Sequence, residues 1–468
     1  MRPSSETEAL FAILRELVAP ETAGAIETLV LQGVDRSLCR INALDFAAKH
    51  ALDEEQTIAG FLHSARLGLF ELTWNVLCPG CGGVLDSGAS LKIVSHEQYT
   101  CALCAAGYEP TLDDVVEVTF TVSPNVRRIA AHDPHSLPMI EFYRQIFWGS
   151  GFDLPDDDSL ARIMQEVTLD SIELPPGERA TMSLQAPEGF LIVFDPVVHM
   201  AQFIEVKGEQ TRERQTLTAI LNTEHAPTDR VTIRPGPLRI FFENRANVRT
   251  LPSVWVAGDL LHDLLGKRRP FLTAKRLLTN QTFRDLYRAE TLNIDQRLKI
   301  TSLTFLFTDL KGSTELYDRV GDLVAYDLVN AHFRALQTIV AAEAGAVVKT
   351  IGDAVMATFP TPDRAVAAAL RMRVAMRELG SDFILKIGIH EGPCLAVMLN
   401  DRQDYFGQTV NIAARVQGLA HSTSIFATKQ VVGHSGSERL LASNGITPLP
   451  KERQLRGIAA KIDVFEIQ

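Results

Sequence analysis

The chain has 468 residues, more than one hydrophobic core usually supports, so two to four domains are expected. Its composition, 46% apolar and 22% charged, is that of an ordinary globular protein. The formal net charge of −11 excludes nucleic acid and an anionic membrane as main partners. It leaves a nucleotide possible, because a bound divalent metal supplies positive charge locally.

The opening MRPSSETEALFAIL lacks the basic stretch and apolar core of a signal peptide. No uncharged apolar run reaches the roughly 18 residues that span a bilayer, so the expected location is cytoplasmic. Residues 1–75 read as helical: apolar residues recur at three- and four-residue spacing from Asn42 to Trp74. Leu52-Asp53-Glu54-Glu55 reads as a helix start, with acids in the first turn. Residues 76–110 form a cysteine module, and 111–177 a mixed segment with a strand at 116–122 and a short helix at 137–148. Residues 178–256 break into short β-like runs separated by Pro, Gly, Asn and Asp, which predicts a small β-sandwich. Residues 257–299 return to helix, with one helix ending at Gly266. A second opens at Pro270, with Leu272, Leu277, Leu278, Phe283 and Leu286 along one side.

Residues 300–468 alternate strands and helices. TSLTFLFTDL reads as a buried strand, and a helix runs from Ser313 to Glu343 with Leu316, Val320, Leu323, Val329, Phe333, Leu336 and Val340 on one face. AVVKTIGDAVMATF is a hairpin about Gly352-Asp353. An α+β domain, with helices over one face of an antiparallel sheet, fits this order.

Four of the six cysteines fall in two CxxC knuckles, Cys78/Cys81 and Cys101/Cys104, separated by 19 residues. Four soft ligands on two tight turns, with room for a hairpin between them, predict a zinc ribbon holding one structural Zn²⁺. Two disulfides are the alternative, disfavoured in a reducing compartment. His96 lies between the knuckles, but four thiolates already complete the site, which leaves no open position for catalysis.

Two aspartates are expected at chain reversals, Asp309 after a strand and Asp353 at a hairpin tip. Lys311-Gly312-Ser313-Thr314 runs from Asp309 into a helix N-terminus, a seat for phosphate. Two acids beside a phosphate seat suggest Mg²⁺ shared with a triphosphate. FTDLKGST, VKTIGDAVMATF, LKIGIHEGP and DYFGQTVNIAARV resemble, in order and spacing, the four core motifs of class III adenylyl and guanylyl cyclases. The resemblance covers about 165 residues and implies a ferredoxin-like catalytic domain, active as a homodimer with sites at its interface.

The resemblance implies that Asp309, Asp353 and the Leu310 carbonyl hold two Mg²⁺ or Mn²⁺ ions. It makes Gly312, Ser313 and Thr314 phosphate contacts. Asn411 and Arg415, four apart on one helix, match the ribose-orienting and transition-state residues. Lys349 and Asp404 occupy the base-reading positions. One donor and one acceptor complement N1 and N6 of adenine and mismatch guanine, so ATP is the expected substrate and 3′,5′-cyclic AMP the product. Guanylate cyclase is the enzymatic alternative, and a degenerate domain used for dimerisation or nucleotide binding the non-enzymatic one. The DYFG sequence departs from the Asp-Ile-Trp-Gly of animal enzymes, and the ten residues between Pro393 and Asp404 predict a short dimerisation arm. A C-terminal phosphate-contacting lysine has two uncertain counterparts, Arg456 and Lys461. The first 300 residues resemble an uncharacterised region that precedes bacterial cyclase domains. They are expected to regulate catalysis in response to an unknown ligand or protein, with segment 271–298 setting the geometry between two catalytic domains.

Overall fold

The computed structural model describes residues 4–94, 98–222, 230–287, 292–293, 296–311, 318–379, 384–399, 402–420, 424–451, 455, 458 and 461–468. The chain divides into two units. The first holds residues 1–89, 93–110 and 115–272, and the second holds 90–92, 111–114 and 273–468.

The first unit opens with four helices, α1 (Ser5–Leu17), α2 (Pro20–Gln32), α3 (Ala43–His50) and α4 (Glu54–Arg66). The helix start read at Asp53 is there: its carboxylate accepts from the Gln56 amide at 2.9 Å, and α4 buries Ile58, Phe61 and Leu62. The helical reading runs too far, however. Phe70–Leu77 is a strand, β1, pairing antiparallel with β2 (Val84–Gly88) and, beyond the small hairpin of β3 (Tyr99–Cys101) and β4 (Ala106–Tyr108), with β5 (Val116–Val122). Its aromatic and β-branched residues gain more by packing in the sheet than the three-to-four spacing would gain from a helix.

A short helix, α5 (Met139–Phe142), continues as a π-turn over Tyr143–Phe147, and α6 (Asp157–Val167) leads into the β-rich part. Its strands are β6 (Thr168–Ser171), β7 (Arg179–Ala186), β8 (Gly189–Asp195), β9 (Met200–Val206), β10 (Gln215–Leu221), β11 (Val231–Ile233), β12 (Gly236–Asn244) and β13 (Ser253–Val256). They form a sheet in the order β10-β12-β7 and another in the order β11-β9-β8-β13-β6. Met182, Leu238, Ile240 and Phe242 of the first share one core with Leu191, Val193, Ile204 and Val254 of the second. That is a sandwich, as expected, beginning about ten residues earlier than the sequence suggested. Helix α7 (Asp259–Gly266) follows.

The second unit starts with two short helices, α8 (Ala274–Leu278) and α9 (Gln281–Leu286), not the single one expected from Pro270. The break has a local cause. Thr273 caps α8 through the Arg276 amide (3.2 Å), and Asn280 restarts the helix by accepting from the Phe283 amide (3.0 Å). Then come β14 (Leu298–Lys311), α10 (Asp322–Ala342), β15 (Ala346–Ile351), β16 (Ala354–Phe359), α11 (Pro362–Leu379), β17 (Ile384–Leu399), β18 (Arg402–Phe406), α12 (Gln408–Gln417) and β19 (Ile425–Thr428). The chain closes with α13 (Lys429–Val432), α14 (Ser435–Ser443), β20 (Leu449–Lys451) and β21 (Val464–Ile467). The sheet order is β15-β16-β14-β17-β19-β21-β20, with β18 folded back on β17. All these pairs are antiparallel except β17–β19.

Leu336 and Val340 of α10 join Val366 and Met372 of α11, and with Leu306, Val355 and Ile389 they make the core of this unit. Leu323, expected on the buried stripe of α10, is 77% exposed, whereas Ala325 and Val329 of the same helix are buried. Residues 111–114 are stitched to the first residues of β14. The Leu112 amide donates to the Lys299 carbonyl (3.0 Å), and the Asp113 carboxylate takes the Thr301 amide and the Lys275 ammonium.

Candidate active site

Asp309 does not follow its strand, as expected, but lies within it, paired opposite Lys386 of β17. The Lys386 ammonium stands 3.2 Å from an Asp309 carboxylate oxygen, and the Asp309 side chain is about one-third accessible. Asp353 is at the tip of the β15–β16 hairpin, where Gly352 takes φ +63°, a value that suits glycine and completes the tight turn. β14 and β16 run antiparallel with Phe307 against Met356. Just beyond, the Thr308 hydroxyl accepts from the buried Val355 amide at 3.1 Å. This bond joins the residue before Asp309 to a residue two beyond Asp353, so the ladder brings the two carboxylates to the same end of the sheet.

The donor set fits a hard divalent cation. Asp353 Oδ2 is buried without a hydrogen-bond partner among the described residues, an arrangement costly for a carboxylate unless a cation completes it. Both aspartates offer oxygen only, the ligand type that Mg²⁺ and Mn²⁺ prefer. Gly312, Ser313 and Thr314 lie outside the described residues, as do Arg456 and His96; Leu310 is buried on β14, and Lys461 is exposed near the C-terminus.

Lys349 and Asp404 are brought together. The ammonium meets an Asp404 carboxylate oxygen at 2.5 Å, with the lysine side chain 42% accessible and the aspartate 10%. Asp404 also accepts from the Tyr405 amide (2.8 Å), which fixes its orientation. Asn411 and Arg415 are both exposed on α12, while Ile412, Ala413 and Val416 of the same helix are buried. The seating of α12 explains one motif glycine. A Cβ at Gly388 would lie 2.1 Å from the Gln417 backbone nitrogen, so only glycine lets the helix approach β17 this closely.

The histidine of the same motif, His390, is buried beside the Thr428 hydroxyl (2.8 Å). Burial pushes its titration down to about 4, and does the same for His332 on α10 against the opposing pull of Asp353. An unfolded histidine titrates near 6.5, so as pH falls from about 6.5 to 4 the unfolded chain takes up protons that the folded chain refuses. Metal-free protein should therefore lose stability across this window, by about 1.4 kcal/mol per pH unit for each histidine. Denaturant titrations at pH 7 and pH 5 check this, with His390→Asn expected to remove part of the slope.

The four cysteine sulfurs converge within 4.8 Å of one another, with Cys78–Cys104 and Cys81–Cys101 at 3.6 Å. A tetrahedral site with Zn–S bonds of about 2.3 Å has sulfurs roughly 3.8 Å apart, so the cluster has the right size for that ion. The Arg268 guanidinium lies beside it, donating to the Gly80 carbonyl at 2.8 Å.

Sequence reasoning missed Lys386, Thr308 and the contacts that α9 makes behind Lys349. Lys386 had one visible signal, a lone cation in the apolar LKIGIH strand, but its partner follows from the β14–β17 register.

Residues 296–444 match the family of adenylate and guanylate cyclase catalytic domains. Among curated relatives, adenylate cyclase 2 of Rhizobium meliloti is 33% identical over 25% of this chain and 37% of its own length. The human guanylate cyclase soluble subunit beta-2 is 30% identical over 27% of this chain and 23% of its own. The chain thus spans well under half the length of these relatives. The crystal structure of the adenylyl cyclase CyaB from P. aeruginosa covers 37% of this chain and 96% of that one, at 21% identity and a TM-score of 0.33. The C-terminal unit is a class III nucleotidyl cyclase domain. Residues 4–285 match a family of unknown function, DUF5939, and the chain belongs to that family. No helix among the described residues is long and apolar enough to cross a membrane.

Proposed function

We propose that the protein is an adenylate cyclase that converts ATP to 3′,5′-cyclic AMP and diphosphate at the interface of a homodimer. The observation that carries the choice of ATP is the Lys349–Asp404 pair at 2.5 Å, a donor and an acceptor side by side. At an adenine edge entering between them, N1 would accept a hydrogen bond from the ammonium and the N6 amino group would donate one to the carboxylate. Guanine would set donor against donor and acceptor against acceptor. Asp309 and Asp353 would hold Mg²⁺ or Mn²⁺, which when bound lowers the pKa of the ribose 3′-hydroxyl and offsets triphosphate charge. Lys386 adds a cation beside that carboxylate, and Arg415 offers a guanidinium to the charge that builds on the phosphoryl oxygens. Asn411, one turn earlier on the same face, would orient the ribose.

Homodimerisation is supported by the surface of the second unit. Ile351, Leu399 and Phe406 are exposed next to the proposed site residues, Phe406 by two-thirds. The test is a single assay: full-length protein with ATP or GTP and Mg²⁺ or Mn²⁺, cyclic products separated. Cyclic AMP is expected to dominate. Mainly cyclic GMP would overturn the choice of base, and no product with either nucleotide would favour a degenerate domain.

The cysteine cluster reads as a structural Zn²⁺ site, because four sulfurs leave no open coordination position. Metal analysis should give one zinc per chain. Changing Cys78 and Cys81 to Ser should abolish it and lower the unfolding temperature of the N-terminal unit before activity changes. Full zinc content in that variant would overturn the assignment. The N-terminal unit is read as the regulator of the cyclase.

A further inference from the structure

The strand that carries Lys349 is irregular just before it. Ala346 pairs with Thr358 and Val347 with Ala357, but Lys349 pairs with Met356, so Val348 is an extra residue in a β-bulge. Ladder partners alternate faces, so the bulge turns Lys349 to the face opposite Val347, whereas regular alternation would keep the two together. A bulge also leaves backbone groups without ladder partners, and something must take them.

Helix α9 takes them. Gln281 Oε1 accepts from the Val347 amide at 2.8 Å. One terminal nitrogen of Arg284 donates to the Val348 carbonyl at 3.4 Å and to the Gln403 carbonyl at 2.9 Å. Val348 and Gln403 immediately precede Lys349 and Asp404. A single guanidinium therefore ties together the two backbone positions on which the proposed base-reading pair is mounted. At the end of α8, the Tyr405 hydroxyl donates to the Leu278 carbonyl (3.2 Å), anchoring the residue after Asp404 to the same helical pair. An open pocket is lined by Gln281, Arg284, Val348, Lys349, Arg402 and Gln403, so this brace borders space accessible from Lys349. Gln281 and Arg284 lie within residues 4–285 and outside the cyclase match at 296–444.

We propose that Arg284 is a positioning residue for purine selection, holding the Val348 bulge and the β18 strand so that Lys349 and Asp404 present a matched donor and acceptor. The inference rests on the reading of that pair as the base reader. Arg284 acts through the Val348 and Gln403 carbonyls to which it donates. Its loss lets the two side chains separate, so the cost falls on discrimination between bases.

The test measures kcat and KM for ATP and GTP, with unfolding temperatures, for full-length wild type, Arg284→Ala, Arg284→Lys, Gln281→Ala and Lys349→Ala. Losing a hydrogen bond from a charged donor should lower the ATP-over-GTP ratio of kcat/KM by about tenfold in Arg284→Ala, mainly through KM for ATP. Arg284→Lys keeps a cation that reaches one carbonyl and should fall between, and Gln281→Ala should shift the ratio less. If Arg284→Ala does not fold, the lysine variant decides. A purely structural role would depress both substrates alike, and an unchanged ratio in the arginine variants, while Lys349→Ala changes it, overturns the proposal. An unchanged ratio in Lys349→Ala itself instead refutes the base-reading assignment, and the role of Arg284 falls with it.

Discussion

Asp309→Ala is expected to lower the cyclisation rate by about a thousandfold or more while leaving the fold intact. The carboxylate is the strand's contribution to the proposed metal seat, and several kcal/mol of transition-state charge stabilisation would pass through such a seat, at about 1.4 kcal/mol per factor of ten. The structural cost should be small. The Lys386–Asp309 pair is partly exposed, and pairs of that kind contribute at most about 1 kcal/mol. Asp353→Ala should be equally inactive, yet metal-free it should be no less stable than wild type, because the lost Oδ2 is a buried oxygen with no partner among the described residues. Product formation and unfolding temperature, measured on the same preparations, separate the two effects. More than a tenth of wild-type activity in either variant would overturn the assignment of the two aspartates.

Much of this site was legible in the sequence because its parts are local. A two-residue turn between apolar arms places Asp353, and a four-residue spacing places Asn411 and Arg415 on one helix face. The CxxC pairs likewise predicted their own convergence. What escaped depends on pairing between strands. Lys386 reaches Asp309 through the β14–β17 register, which is fixed by residues far apart in the chain. The bulge at Val348 shifts alternation by one residue, and nothing in AVVKTI announces it. The reading of Phe70–Trp74 as helix failed for a related reason: five residues there could satisfy either period until β5 arrived to pair with them. In the same way, Asn280 has the chemistry of a helix cap, but the expected stripe from Leu272 to Leu286 concealed the break it makes.

Mixing two inactive variants should restore activity. On α12, Ile412, Ala413 and Val416 face the sheet, leaving Asn411 and Arg415 turned outward to solvent. An arginine meant for a transition state needs a closed site, and a second copy of this chain would provide one by covering that outward face with its own Asp309 and Asp353. Each site would then draw its aspartates from one subunit and Lys349, Asp404, Asn411 and Arg415 from the other. Asp309→Ala dimers lack the metal seat in both sites, and Arg415→Ala dimers lack the guanidinium in both. A mixed dimer concentrates both defects in one site and leaves the other complete. Random exchange at equal concentrations makes half the dimers mixed, so activity should recover to about a quarter of the wild-type value for a two-fold symmetric pair. Differently tagged chains and native mass spectrometry would establish that mixed dimers form. If they form and no activity returns, each site is built within one chain, and the outward face of α12 has some purpose other than catalysis across an interface.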